Sequence, residues 1–155
     1  KTSGSNAWDS QINNVNEYPP PCTIEFNKMA DANDNGISYA MISWNRDPGT
    51  DASYASLDYA AYPYAANSYQ VYHNGAAQNP VATFDPTLKF YISYSTDGYI
   101  RHWNGSKLLA SYNYGLASTV YLDTSFYSTN GAPYSGFSNI RIIKAVWVGS
   151  GYAYV

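Results

Sequence analysis

Three features of the sequence predict an all-β chain folded as two packed antiparallel sheets, a sandwich of jelly-roll type. Turn-forming dipeptides recur at Asn35-Gly36, Asn74-Gly75, Asp97-Gly98, Asn104-Gly105 and Asn130-Gly131, each suited to the positive φ angles of a tight hairpin. Between them apolar and polar residues alternate, most plainly over Leu88-Lys89-Phe90-Tyr91-Ile92-Ser93-Tyr94. There Leu88, Phe90, Ile92 and Tyr94 share one face, and Lys89, Tyr91 and Ser93 the other. No longer stretch carries the apolar stripe of an amphipathic helix.

Taken in order, these signals predict roughly nine to eleven strands, near 7–15, 22–29, 37–45, 55–62, 68–73, 88–95, 99–103, 107–112, 120–127, 137–148 and 152–155. Parity turns Ile24 and Phe26 inward with Glu25 outward, and Leu57 and Tyr59 inward with Asp58 outward. It also turns Leu122 and Phe126 inward with Asp123 and Tyr127 outward. Pro19-Pro20-Pro21 forces an extended connector.

At 155 residues the chain suits one domain, 1–155, large enough to bury a core without staples. Cys22 is the one cysteine, and its apolar strand context reads as a core position. A net charge of −3, with Arg46, Lys89, Arg101 and Arg141 scattered singly, offers no basic stripe for nucleic acid. No apolar run approaches the ~20 residues that span a bilayer, and Arg141 and Lys144 interrupt the longest candidate, so no membrane insertion is expected. The start at Lys1, without an initiator Met or an apolar leader, is that of a fragment or a processed product.

Chemistry-bearing residues are sparse, whereas tyrosines number 18. Tyrosine gives a wide contact ring with few rotatable bonds and one polar tip, a balance that favours recognition or assembly over catalysis. The only glutamates, Glu17 and Glu25, flank the proline run and share no strand face, so they do not form the carboxyl pair of a retaining glycosidase. His73 and His102 both lie beside hairpin turns, where an exposed polar residue is ordinary. Asn104-Gly105-Ser106 is formally a glycosylation sequon, which its turn role explains without a glycan. Asp31-Ala32-Asn33-Asp34-Asn35-Gly36 matches the first half of a calcium loop, but Ile42 stands where a closing glutamate belongs. A polar turn is the better reading of Asp31, Asn33 and Asn35, and Asp47 with Asp51 is a weaker oxygen cluster of the same kind. No cofactor is expected, with calcium in one of these loops as the alternative.

The stretch Asn45-Arg46-Asp47-Pro48-Gly49-Thr50-Asp51-Ala52-Ser53-Tyr54, running into Ser56-Leu57-Asp58-Tyr59-Ala60, is the most distinctive text in the chain. Downstream follow Tyr69 to Gly75, Tyr94 to Gly98, Arg101 to Gly105 with an extra His102, Leu122 to Phe126, and Asn139-Ile140-Arg141. In this order, from Trp8-Asp9-Ser10 to Ile142, the chain resembles concanavalin A-like lectin/glucanase (LamG-like jelly-roll) domains of phage fibres, other virion proteins and bacterial surface proteins. It departs from them at His73, where an acidic residue is common, and in the segment after Val146, which is free to pair with a neighbouring subunit.

The resemblance implies a non-enzymatic virion structural or attachment domain on the virion surface, a fibre or capsid-decoration module with possible binding of host-surface glycans. Its partners would be other virion subunits, in a homo-oligomer for which a trimer is the natural guess. The alternative is a carbohydrate-binding module of a secreted or cell-surface bacterial protein. Either reading rests on the outward residues Tyr54, Asp58, Tyr62, Tyr91, Asp123 and Tyr127, whose rings stack on sugars and whose carboxylates accept hydroxyl hydrogen bonds.

Overall fold

Strand pairing follows the turn chemistry. In a computed structural model describing residues 7–29, 40–64, 67–117, 119–128 and 136–154, Asn74-Gly75, Asp97-Gly98 and the turn at Gly105 each join antiparallel neighbours. The Asn35-Gly36 and Asn130-Gly131 signals lie outside the described residues.

The first sheet combines β1 (Ala7–Ser10), β3 (Ala40–Asn45), β4 (Tyr59–Tyr64), β5 (Ser68–His73), β6 (Ala76–Thr83) and β10 (Tyr121–Ser128), in the order β1-β10-β3-β4-β5-β6. The second combines β2 (Cys22–Lys28), β7 (Phe90–Tyr94), β8 (Tyr99–Asn104), β9 (Lys107–Asn113) and β11 (Phe137–Ile143), in the order β11-β2-β7-β8-β9. A third, two-stranded sheet pairs β12 (Val146–Trp147) with β13 (Tyr152–Ala153). The fold is an all-β antiparallel sandwich.

The inner faces meet in one core. Ile42, Trp44, Tyr59, Ala61, Tyr69 and Val71 come from the six-stranded sheet, and Ile24, Phe26, Phe90, Ile92, Tyr94 and Ile100 from the five-stranded one. Each such side chain contributes roughly 1.5–3 kcal/mol through burial. Two polar tips in this core bond across the sandwich: Trp44 Nε1 donates to the Ile92 carbonyl at 3.0 Å, and the Tyr69 hydroxyl meets His102 Nδ1 at 2.8 Å. Cys22 is fully buried there, and burial pushes its thiol up to about 12, so it is an inert core residue.

Several details differ from the sequence-based expectations. Residues 55–58 are not strand: Tyr54–Ser56 forms a short 3₁₀ turn, and Leu57 packs with Met41 and Ala60 in a second apolar cluster, on the side of the sheet opposite Tyr59. Leu88 is exposed, in a turn whose amide donates to the Asp85 carbonyl, and strand β7 begins two residues later. β6, which is not among the expected strands, contains Pro80 and is an edge strand, where a missing N–H is tolerated. His102 is fully buried rather than beside solvent, because parity along β8 places it with Ile100 on the inner face. The expected strand 137–148 breaks after Ile143, and β12 then folds back on the chain's own sheet.

That return covers much of the outer face of the five-stranded sheet. Thr23 Oγ1 donates to the Ala145 carbonyl at 2.6 Å and accepts from the Trp147 amide at 3.1 Å. The Trp147 indole lies flat on Tyr91, centroids 4.1 Å apart, and its Nε1 donates to the Gly105 carbonyl at 3.0 Å. Within the segment after Val146, β12 and β13 pair with each other and β12 lies on this sheet, while Tyr154 stays exposed.

Candidate functional site

The outer face of the six-stranded sheet is built differently, beginning with the loop between β3 and β4. Arg46 grips Asp58 through its backbone amide at 2.7 Å, its Nε at 3.1 Å and a terminal nitrogen at 2.7 Å. This closes the loop at its base with charge-assisted bonds. Asp51 Oδ1 accepts from the Ser53 amide and the Ser56 hydroxyl, and Ser53 Oγ caps the 3₁₀ turn by accepting from the Ala55 amide.

The tip of the β5–β6 hairpin supports the turn from beneath. Asn74 donates its amide to the Leu57 carbonyl at 3.1 Å, and both turn residues have positive φ, 48° at Asn74 and 75° at Gly75. A Cβ on Gly75 would stand 2.8 Å from Ala55 Cα, so the approach requires glycine.

Held in this way, Tyr54 joins a group of half-buried rings on the sheet surface. Trp8 is its centre, with centroids 5.3 Å from Tyr54, 5.9 Å from Tyr62 and 5.6 Å from Tyr127. Tyr72 meets Tyr54 edge-on at 5.6 Å and Tyr62 at 6.0 Å, and Tyr64 stacks on Tyr62 at 5.0 Å. Register explains the convergence: Trp8 pairs with Tyr127 across β1 and β10, while the pairing of β4 with β5 sets Tyr62 diagonal to Tyr72, with Tyr64 two residues further along the same face. The resulting face offers ring surface and phenol tips, the chemistry that stacks on sugar C–H faces and bonds hydroxyls.

The structure thus gathers Tyr54, Tyr62 and Tyr127 and separates the other three candidates from them. Asp58 is 5% exposed rather than facing solvent, and both its oxygens are engaged by Arg46, which makes it a clamp of the loop. Asp123 is 1% exposed beneath the loop, accepting from Asn45 Nδ2 at 2.9 Å and from the Thr124 amide at 2.7 Å. Burial raises its pKa, and the nearby charges of Asp47 and Asp51 add to that rise. Tyr91 points outward as its parity requires, but it belongs to the other sheet and is 7% exposed under Trp147.

Trp8, Tyr64 and Tyr72 were missed from the sequence. Alternation from Tyr62 is signal enough for Tyr64, and the local β4–β5 hairpin brings Tyr72 to that face, whereas Trp8 depends on pairing with the distant strand β10.

Of the calcium candidates, Asp31, Asn33 and Asn35 lie outside the described residues. Asp47 and Asp51 are exposed, and Asp51 is committed to its turn. Among the described residues no group of three or more His, Cys, Asp or Glu side chains is gathered to hold a metal. Nor do the two glutamates meet: exposed Glu17 accepts from the Tyr121 hydroxyl at 2.8 Å, and Glu25 lies on β2, accepting from Lys89 at 2.6 Å and Tyr152 at 2.7 Å. Asn104 of the sequon is buried, its side chain bound to Asp85 backbone atoms.

No family model and no curated protein matches the chain. Among solved structures it is similar to the PSpry domain of TRIM65, with a TM-score of 0.53 and 16% identity over 83% of this chain and 69% of that one. That domain is a jelly-roll-like β-sandwich, and at this identity the likeness concerns the fold alone.

Proposed function

We propose that this chain is a non-enzymatic attachment or structural domain of a virion, a fibre or capsid-decoration module, whose aromatic face contacts host-surface glycans. The observation that carries the binding part is the convergence of Trp8, Tyr54, Tyr62, Tyr64, Tyr72 and Tyr127 on one outer sheet face. The virion assignment is supported by the ordered motifs between Asn45 and Arg141. A non-catalytic role accords with Asp58, Asp123 and Glu25 each being spent on structural bonds.

The test is binding of the purified domain to a broad glycan array and to candidate host cells, with and without a calcium chelator. Saturable binding that Tyr64→Ala weakens about tenfold, equivalent to ~1.4 kcal/mol, is the expected result. Absence of binding to every glycan and cell would remove the attachment reading. Recognition of soluble bacterial polysaccharide without cell binding would move the protein to the carbohydrate-binding-module class. A stable monomer in light scattering at high concentration would count against the trimer.

A further inference from the structure

On the opposite side of the sandwich, the C-terminal hairpin does not close the whole face of the five-stranded sheet. Next to the Asp97-Gly98 turn a pocket of about 360 Å³ remains between the sheet and the hairpin. Ser95, Asp97 and Arg101 line its polar end, and Trp103, Leu108, Val146 and Val148 form its apolar walls. We propose that this pocket binds one neutral 6-deoxyhexose unit of a glycan, with vicinal hydroxyls on Asp97 and Arg101 and the methyl group against Leu108, Val146 and Val148.

The polar end is already fixed in place. Arg101 donates one terminal nitrogen to Ser95 Oγ at 2.6 Å and the other to Asp97 Oδ2 at 3.0 Å, while its guanidinium lies 4.7 Å over the Tyr99 ring. Asp97 Oδ1 also accepts from the Ser95 hydroxyl and from the Tyr99 amide. Of five guanidinium N–H groups two are spent, and the half-exposed Asp97 carboxylate keeps accepting capacity. Hydrogen bonds from Arg101 and Ser95 hold the Asp97 carboxyl at about 2, so it is ionised beside its cation at any physiological pH.

A donor and an acceptor side by side, with no net charge, suit a hydroxyl or two vicinal hydroxyls, which accept from Arg101 and donate to Asp97. A carboxylated or phosphorylated sugar would meet the Asp97 carboxylate instead. Leu108, Val146 and Val148 line the pocket as well, and a 6-methyl group matches such a lining better than a hydroxymethyl group, whose hydroxyl would lose water there.

The Trp103 ring completes the site and is itself held, its Nε1 donating to Ser93 Oγ at 3.2 Å. Gly149 brings the hairpin against it: φ is +89°, and a Cβ there would lie 2.9 Å from the indole Cζ3. The chain closes that turn with the Val148 amide on the Gly151 carbonyl at 3.0 Å. The pocket is therefore a seam between Trp103 and Val148, independent of the aromatic face.

The test follows the Trp103 indole N–H by NMR in the intact chain. L-Rhamnose and L-fucose are titrated beside their 6-hydroxylated counterparts L-mannose and L-galactose, and beside N-acetylneuraminic acid. A saturable Trp103 shift is expected with the deoxyhexoses, about fourfold weaker with the parent hexoses, the worth of one buried methyl-sized group, and absent with the acid. Val148→Arg and, from the other wall, Leu108→Arg should each abolish it. Both positions are exposed, so thermal melting should stay near wild type. Tyr64→Ala should leave the shift unchanged, which separates this pocket from the aromatic face. The proposal is overturned if no neutral sugar shifts Trp103, if the acid binds as well as the deoxyhexoses, or if the shift survives both blocking variants.

Discussion

Tyr62 and Tyr91 both stand on outward positions of central strands, yet they end in opposite situations. Tyr62 remains half-buried among rings that share the solvent side of the six-stranded sheet. Tyr91, 7% exposed, lies under Trp147, with Tyr152 edge-on at 6.4 Å. The carboxylates beside them diverge as well. Asp58 clamps a loop that leaves the rings uncovered, whereas Glu25 is 4% exposed and bonds the hairpin that covers Tyr91. Strand parity decides which face a side chain takes, and a separate segment decides whether that face meets solvent.

The largest expected effect comes from removing the cover. Trp147→Ala deletes the stack on Tyr91 and the bond to the Gly105 carbonyl, and should destabilise the fold by about 3 kcal/mol in urea unfolding. If the loss is near zero, the hairpin is not the element that sets the two faces apart.

Acid should expose the same asymmetry. Burial pushes the Glu25 carboxyl up, but hydrogen bonds from Lys89 and Tyr152, with the charges of Lys89 and Arg141, outweigh it and hold the pKa below the ordinary 4.5. Its contribution is thus complete above the unfolded value and is lost as pH falls through the lower folded one. His102, depressed to about 3 by burial, adds a separate loss, because the unfolded imidazole protonates below about 6.5 while the folded one stays neutral. Stability measured against pH should fall from about 6.5 downward, steepening below 4.5, and Glu25→Gln should flatten only the lower part.

A smaller effect is expected at the loop clamp. Asp58→Ala removes three bonds from a half-exposed arginine and should cost about 2 kcal/mol. Glycan binding should weaken only as far as Tyr54 loses its support, so complete loss of binding with intact folding would restore Asp58 as a ligand contact. Smallest of all in stability is Tyr64→Ala, below about 1 kcal/mol, because its ring packs on Tyr62 at the rim of the group. Its effect on binding should exceed its effect on folding.

The sandwich was legible because its signals are local: period-two alternation over Phe90–Tyr94 and the turn chemistry of Asn74-Gly75, Asp97-Gly98 and Asn104-Gly105. Parity also placed Ile24, Phe26, Leu122 and Phe126 toward the core side. What stayed hidden depends on contacts between distant parts of the chain. Trp8 reaches Tyr127 only through the pairing of β1 with β10, and Asp123 sits on a strand tied to the distant loop at Ala52 through the Ser125 hydroxyl. No local pattern marks Trp147 as the cover of Tyr91. The outward facing of Tyr62, Tyr91 and Tyr127 could be read from the sequence, but their accessibility could not.

Recognition is proposed for the outer face of the six-stranded sheet, and not for that around Tyr91. It is tested most directly by aromatic NMR of the domain with the tightest-binding glycan found on the array. Saturable shifts are expected at Tyr54, Tyr62, Tyr64 and Tyr72, with Tyr91 and Trp147 unmoved. Shifts confined to Tyr91 and Trp147, or to the Trp103 pocket, with the six rings silent, would contradict it.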